Sequence, residues 1–276
     1  IFMESVLDRL NDAFPAIHSI IFVIGVLSNG GLLLASFNRT PRLLNTYSVM
    51  IKIGAFNDLI SVCCDFFTMQ RMLVIPGNLI YLSTGPCSLI STRSCYVTYC
   101  VQLCTLVYSL YVMVASFAYR LWILHRPTPS VQKVVTIMGL LSLPPALVGL
   151  AFTFAQADIE VVNNFLRKNA PMYLTEPGAL SGHTGLTAHL VFTILFVIGT
   201  PGPAYAAIMV FRNKVRDCIF SFVQALTIHA MLPPIYCLAV VIYIILFFDI
   251  KNIQIAAIPP SCAAFCTLYY VEPYRR

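Results

Sequence analysis

The sequence predicts an all-α membrane protein, a seven-transmembrane helix bundle with its N-terminus outside and its C-terminus inside. Three observations lead there. The chain of 276 residues is 59% hydrophobic and only 10% charged, where a soluble domain would be about a quarter charged. Apolar stretches of roughly 18 residues or more recur along its whole length. Finally, the basic residues fall unevenly between alternate loops. Backbone groups in lipid must be satisfied internally, and these stretches are too long and too uniformly apolar for barrel strands. The net charge of +6 is dispersed among short loops. That pattern fits contact with anionic membrane lipid and gives no basis for nucleic-acid binding.

The elements follow in order. Residues 1–14 form an amphipathic leader, too charged for a signal-peptide core. Span 1 covers about 15–37 and carries Asn29. Span 2 covers about 45–69, with Lys52, Asp58 and Asp65. A polar loop with Gly and Pro leads to span 3, about 94–120. The 26 residues between Arg93 and Arg120 hold no Asp, Glu, Lys or Arg, enough at ~1.5 Å per residue to cross a ~30 Å hydrocarbon core. Its many Tyr, Thr, Ser and Gln tips predict a central helix surrounded by others. Span 4 covers about 131–155, span 5 about 186–211, span 6 about 218–248 and span 7 about 253–271. Prolines in spans 4 to 7 bend such helices, and Pro233-Pro234 in span 6 is a candidate hinge. Opening without Met and stopping just after span 7, the chain is expected to be a fragment or an imperfect gene model.

Seven spans put the termini on opposite sides. The loops after spans 1, 3, 5 and 7 hold ten basic residues: Arg39, Arg42, Arg120, Arg126, Lys133, Arg212, Lys214, Arg216, Arg275 and Arg276. The opposite segments hold six: Arg9, Arg71, Arg93, Arg167, Lys168 and Lys251. The excess marks the first set as cytoplasmic. The sequon Asn38-Arg39-Thr40 then lies inside and stays unglycosylated.

Several residues are candidates for function. A carboxylate at Asp58 is costly in a membrane and faces the bundle interior. It is either a polar switch near Asn29 and span 7, or a structural acid satisfied by Asn29 or a serine. Asp65 lies on the same helix face, seven residues on. Lys52 snorkels to the interface. Cys87 and Cys95 bracket the entry to span 3. In an oxidising space a bridge between them would close a small loop over the helix. The long loop 156–185 has no cysteine, so no bridge reaches it. Arg120 is either a topology-fixing arginine or a contact for a signalling partner. Tyr99, Gln102, Leu103 and Leu106 share one face of span 3 by spacing. They are candidates for ligand binding, or for helix packing. No metal is expected: His18, His125, His183, His189 and His229 form no close ligand pattern. No cofactor motif, nucleophile elbow or phosphate loop is present, so the chain is not expected to be an enzyme. A small-solute transporter or channel subunit is the alternative, although no internal repeat supports it.

Six stretches carry a family resemblance: Leu43-Leu44-Asn45-Thr46-Tyr47-Ser48, Asn57-Asp58-Leu59-Ile60, Gly85-Pro86-Cys87 with Cys95, Ser116-Phe117-Ala118-Tyr119-Arg120, residues 224–234 through His229 to Pro234, and residues 268–276 through Glu272 to Arg276. In this order the chain resembles the nematode serpentine chemoreceptors of class delta, of the G-protein-coupled receptor type. The resemblance implies a sensory receptor at the plasma membrane of sensory-neuron cilia. It would bind a small odorant or pheromone-like ligand and signal through a heterotrimeric G protein. It implies G-protein contact by Tyr119 and Arg120, joined by Arg212 and Arg216 of the basic loop. It places Asp58 where many related receptors carry a span 2 aspartate. The chain departs from the wider pattern in three ways: Ala118 replaces an acid before Tyr119, Pro259-Pro260 stands without a following Asn-Pro-x-x-Tyr motif, and the second outer loop lacks a cysteine.

Overall fold

A computed structural model describes residues 2–38, 45–75, 78–185 and 187–218. Helix α1 (Phe2–Asn38) runs through the leader and span 1 without a break, with Pro15 inside it. Helix α2 (Asn45–Thr68) follows. Strands β1 (Gln70–Ile75) and β2 (Asn78–Ser83) come next, then a short 3-10 turn at Pro86–Leu89 and helix α3 (Thr92–His125). Helix α4 (Val131–Thr153), the short helix α5 (Ile159–Asn169) and strand β3 (Ala179–Thr184) lead to helices α6 (Ala188–Gly199) and α7 (Pro201–Cys218). The rest of spans 6 and 7, with Pro233 and Pro234, lies outside the described residues.

Among the described residues four helical stretches are long and apolar enough to cross a membrane: Phe14–Asn38, Thr92–His125, Val131–Thr153 and Ala188–Lys214. They keep large aliphatic side chains on the outside, among them Leu27, Leu34, Leu140, Leu147 and Leu195. In water such surfaces would be a liability, and against lipid tails they are the expected outer face. Helix α2 is ~36 Å long at 1.5 Å per residue, yet it carries Lys52, Asp58 and Asp65. It solves this by packing against α1, α3 and α4 at once, so its acids find partners inside the bundle.

Helix starts are set locally. Ser91, Ser130 and Thr187 each precede a helix and accept a hydrogen bond from a backbone N–H three residues on: Ser94 at 3.0 Å, Lys133 at 3.3 Å and Leu190 at 3.3 Å. These satisfy donors that the helix itself leaves free.

One expectation needs correction. The fold is not all-α: β1, β2 and β3 form an antiparallel sheet in that order. Arg71 pairs with Leu82 across β1–β2, and Leu82 with Leu180 across β2–β3. The segments expected to be polar loops supply these strands: β1 and β2 hold short apolar, β-prone runs, and β3 pairs onto β2 without one. Gly182 has φ +148°, and a Cβ there would sit 2.3 Å from the Leu79 carbonyl oxygen, so only glycine fits β3 against β2. Along span 5, α6 and α7 meet at Thr200, and together they make the one candidate span Ala188–Lys214. Pro201 has no N–H to continue the ladder, while the bonds Thr200 N–H to Phe196 O and Ala204 N–H to Thr200 O persist on either side.

The sheet lies across one end of the bundle. One face sets Leu79 and Tyr81 on Tyr96, Tyr99, Phe152 and Leu190 of the helices. The other sets Leu73, Ile80 and Leu82 under Val162 and Leu166 of α5. Strand β2 is therefore covered on both sides, which explains its unbroken run of buried residues from Leu79 to Ser83.

Candidate functional site

Helix α3 is the axis on which the polar contacts of the bundle are strung. At the sheet end, Cys87 and Cys95 are disulfide-bonded, with Cα atoms 5.1 Å apart and both side chains fully buried. The bridge ties the 3-10 turn to the first turn of α3. The chain reaches that turn by crossing the end of α2, where Gly85 N–H donates to Thr68 O at 3.0 Å. A Cβ on Gly85 would meet the Phe67 carbonyl oxygen at 2.4 Å, so a side chain there would push the crossing away.

His183 of β3 lies under the same roof, 1% exposed. Its Nδ1 is 2.7 Å from the Ala155 carbonyl oxygen. A carbonyl only accepts, so in the neutral ring Nδ1 carries the proton and Nε2 is an acceptor. Nε2 lies 3.1 Å from the Tyr96 hydroxyl oxygen, whose one proton is donated to Phe152 O at 2.7 Å. Burial lowers the His183 pKa from 6.5 to about 4, and the Ala155 bond opposes this only in part. The ring is a neutral rivet between sheet and helices.

One turn further into the bundle, Asp65 of α2 is shared by two neighbours. Oδ2 lies 2.7 Å from His18 Nδ1 of α1, and Oδ1 accepts from Gln102 Nε2 of α3 at 2.9 Å. All three side chains are buried. Deeper still, Asp58 Oδ1 accepts from Ser109 Oγ at 2.6 Å. Asn57 Nδ2 donates to Ser109 Oγ at 2.8 Å and to Thr105 O at 2.9 Å. Asn29 donates instead to Gly25 O of its own helix at 3.0 Å. Of the two partners the sequence offered Asp58, the serine is the one it bonds.

The four candidate ligand residues on α3 have different surroundings. Tyr99 is packed against Tyr81 and Phe152. Gln102 serves Asp65. Leu103 lines a small apolar recess with Cys104, Val107, Pro145, Phe152 and Phe196, between α3, α4 and α6. Leu106 is half-buried.

At the far end, Tyr119 stacks on Tyr47, with centroids 5.6 Å apart and planes at 20°. The Arg120 guanidinium donates to the Tyr47 hydroxyl. Phe117 and Ile208 pack α7 onto α3 at this end, with Met209 and Phe211 beside them. Arg212 follows, half-buried, and Arg216 lies in the last turn of α7. Lys52, expected to snorkel, sits over the Phe37 ring at 4.4 Å. Among the described residues no group of three His, Cys, Asp or Glu side chains is placed to hold a metal.

Residues 14–276 match the model of the serpentine type 7TM GPCR chemoreceptor family Srd. The chain belongs to that family. Curated relatives agree in name and extent. Serpentine receptor class delta-3 of Caenorhabditis elegans is 24% identical over 97% of this chain and 87% of its own length. Class delta-18 of the same organism is 28% identical over 86% and 79%. Class delta-31 is 25% identical over 95% and 88%. A membrane chemoreceptor family is therefore the frame for the contacts above. Reading the sequence missed His18, Tyr47 and His183 as members of this polar framework. Asp65 was visible only as a second acid on the Asp58 face, and Tyr47 only as part of a family stretch.

Proposed function

We propose that this chain is a chemosensory receptor of seven spans that binds a small molecule and signals through a heterotrimeric G protein. The observation that carries the reading is the family match over nearly the whole chain. In this reading the sheet end, with its disulfide, faces outside, and the end bearing Tyr119, Arg120, Arg212 and Arg216 faces the cytoplasm. The excess of basic residues on that side supports the orientation. The buried disulfide also suits an oxidising space. The protein then sits in the plasma membrane, and family kinship suggests sensory cilia.

The ligand would enter the sheet-end half of the bundle, among Tyr99, Gln102, Leu103 and Leu106. Apolar walls with a few polar tips suit a small, mostly apolar molecule. Binding favours a minor conformation in which span 6 shifts at Pro233-Pro234 and opens the cytoplasmic face beside Arg120. Asn29 and Asp58 lie between the two ends, as a polar relay or as structural groups. The test is a second-messenger screen of the full-length chain against volatile and water-soluble odorants, with Arg120→Ala alongside. A ligand response lost in Arg120→Ala at normal surface expression is expected. Full signalling by that variant would remove the role given to Arg120. Solute flux in proteoliposomes without a G protein would favour a transporter.

A further inference from the structure

We infer that Tyr47 is the restraint that holds Arg120 in the resting state, in place of an acidic residue. The inference rests on the proposed G-protein coupling and adds to it the residue that keeps the coupling arginine folded away.

The arginine has no acid beside it in the chain, since Ala118 and Tyr119 precede it. Among the described residues the ion pairs are His18–Asp65 and Arg71–Glu176, and neither involves Arg120. A phenol from another helix takes that place. The Tyr47 hydroxyl accepts from the guanidinium and lies 3.4 Å from Ser116 Oγ. The guanidinium carbon stands 5.4 Å from the Tyr47 ring centre and 5.7 Å from that of Phe117. Tyr119 stacks on the Tyr47 ring, with centroids 5.6 Å apart. Tyr47 is thus fixed by a ring on α3 and in turn fixes the charge one residue on.

The chemistry suits a reversible hold. A hydrogen bond to a neutral oxygen is weaker than a buried ion pair, and it leaves the positive charge uncancelled. The charge remains available to an acidic or carbonyl-bearing partner once the side chain swings away from α2. Tyr47 is also in the first turn of α2 and Arg120 near the end of α3. A small change in the α2–α3 relation at this end breaks the contact without disturbing the disulfide end.

The experiment uses the full chain in nanodiscs, wild type against Tyr47→Phe, Arg120→Ala and the double variant. Tyr47→Phe keeps the ring stack and deletes only the hydroxyl. Thermal unfolding reads the contact itself: each single variant is expected to melt lower, and the double no lower than the weaker single. Additive losses would overturn the contact. Ligand-free GTPγS uptake by a panel of purified heterotrimers reads the restraint. Tyr47→Phe is expected to raise it roughly tenfold, equivalent to about 1.4 kcal/mol, and Arg120→Ala to abolish the rise. Wild-type stimulation with an unchanged or lowered rate in Tyr47→Phe would overturn the restraint while leaving coupling intact. Uptake at the level of empty nanodiscs in all four, with the thermal coupling present, would overturn the coupling reading and the restraint with it, but not the contact.

Discussion

His18 and Asp65, 47 residues apart in the chain, are joined by a 2.7 Å contact between Nδ1 and Oδ2 that locks α1 to α2. Gln102 binds the other oxygen and brings in α3. Asp65→Ala should leave two buried polar groups without their acceptor. The expected cost is about 1–3 kcal/mol, read as a lower melting temperature of the purified protein. Gln102→Leu should cost less, because Asp65 keeps its bond to His18. Equal stability of Asp65→Ala and wild type would show that the cluster does not bind the three helices together.

The disulfide makes a second expectation. Cys87 and Cys95 close a loop of short span over the start of α3. Cys87→Ala, Cys95→Ala and the double variant should lose the same stability, about 2–3 kcal/mol. A reducing agent should lower wild type to their level and leave the variants unmoved. A double variant clearly less stable than either single would mean the thiols contribute separately, through packing.

His183 predicts a pH dependence with a definite sign. Burial holds its pKa at about 4, below the ordinary 6.5. Between those values the unfolded chain binds a proton that the folded chain refuses. Stability from this group is complete above pH 6.5, falls as pH drops toward 4 and levels off below. The total is roughly 3 kcal/mol. Unfolding of wild type and His183→Gln followed from pH 7.5 to 3.5 isolates it, since other acids titrate in both. Parallel curves would show that the ring is not held neutral.

How much of this could be read beforehand depends on distance along the chain. Span 3 was legible because its 26 uncharged residues are contiguous. The partner of Asp58 was legible only as a choice between Asn29 and some serine, and nothing in the sequence said that the serine would be Ser109 of α3. The sheet was missed because each strand has six residues, too short to stand out beside spans of twenty or more. Pro76-Gly77 between two β-prone runs was the available hairpin signal. The contacts of His18, Tyr47 and His183 had no local signature at all. Their partners lie 47, 73 and 87 residues away, and only the packing of whole helices brings them together. The junction of α6 and α7 at Pro201 was visible as a proline, but what proline does in a membrane helix depends on its neighbours.

A tight contact between α3 and α4 gives the last prediction. At Gly149 of α4, an added Cβ would lie 1.9 Å from Cys104 Sγ on α3 and 3.5 Å from the Cys100 carbonyl oxygen. The sulfur therefore occupies the space a side chain would need. Gly149→Ala should force α4 away from α3 and cost about 1–3 kcal/mol. The clash is with one atom, and the Cys104 Cβ is 3.7 Å away, an ordinary contact. Cys104→Ala should accordingly restore most of the loss in the double variant, although alone it opens a small void and destabilises. Melting temperatures of the four proteins decide it. A double variant no better than Gly149→Ala would mean that backbone approach at Cys100, not the thiol, sets the spacing of α3 and α4.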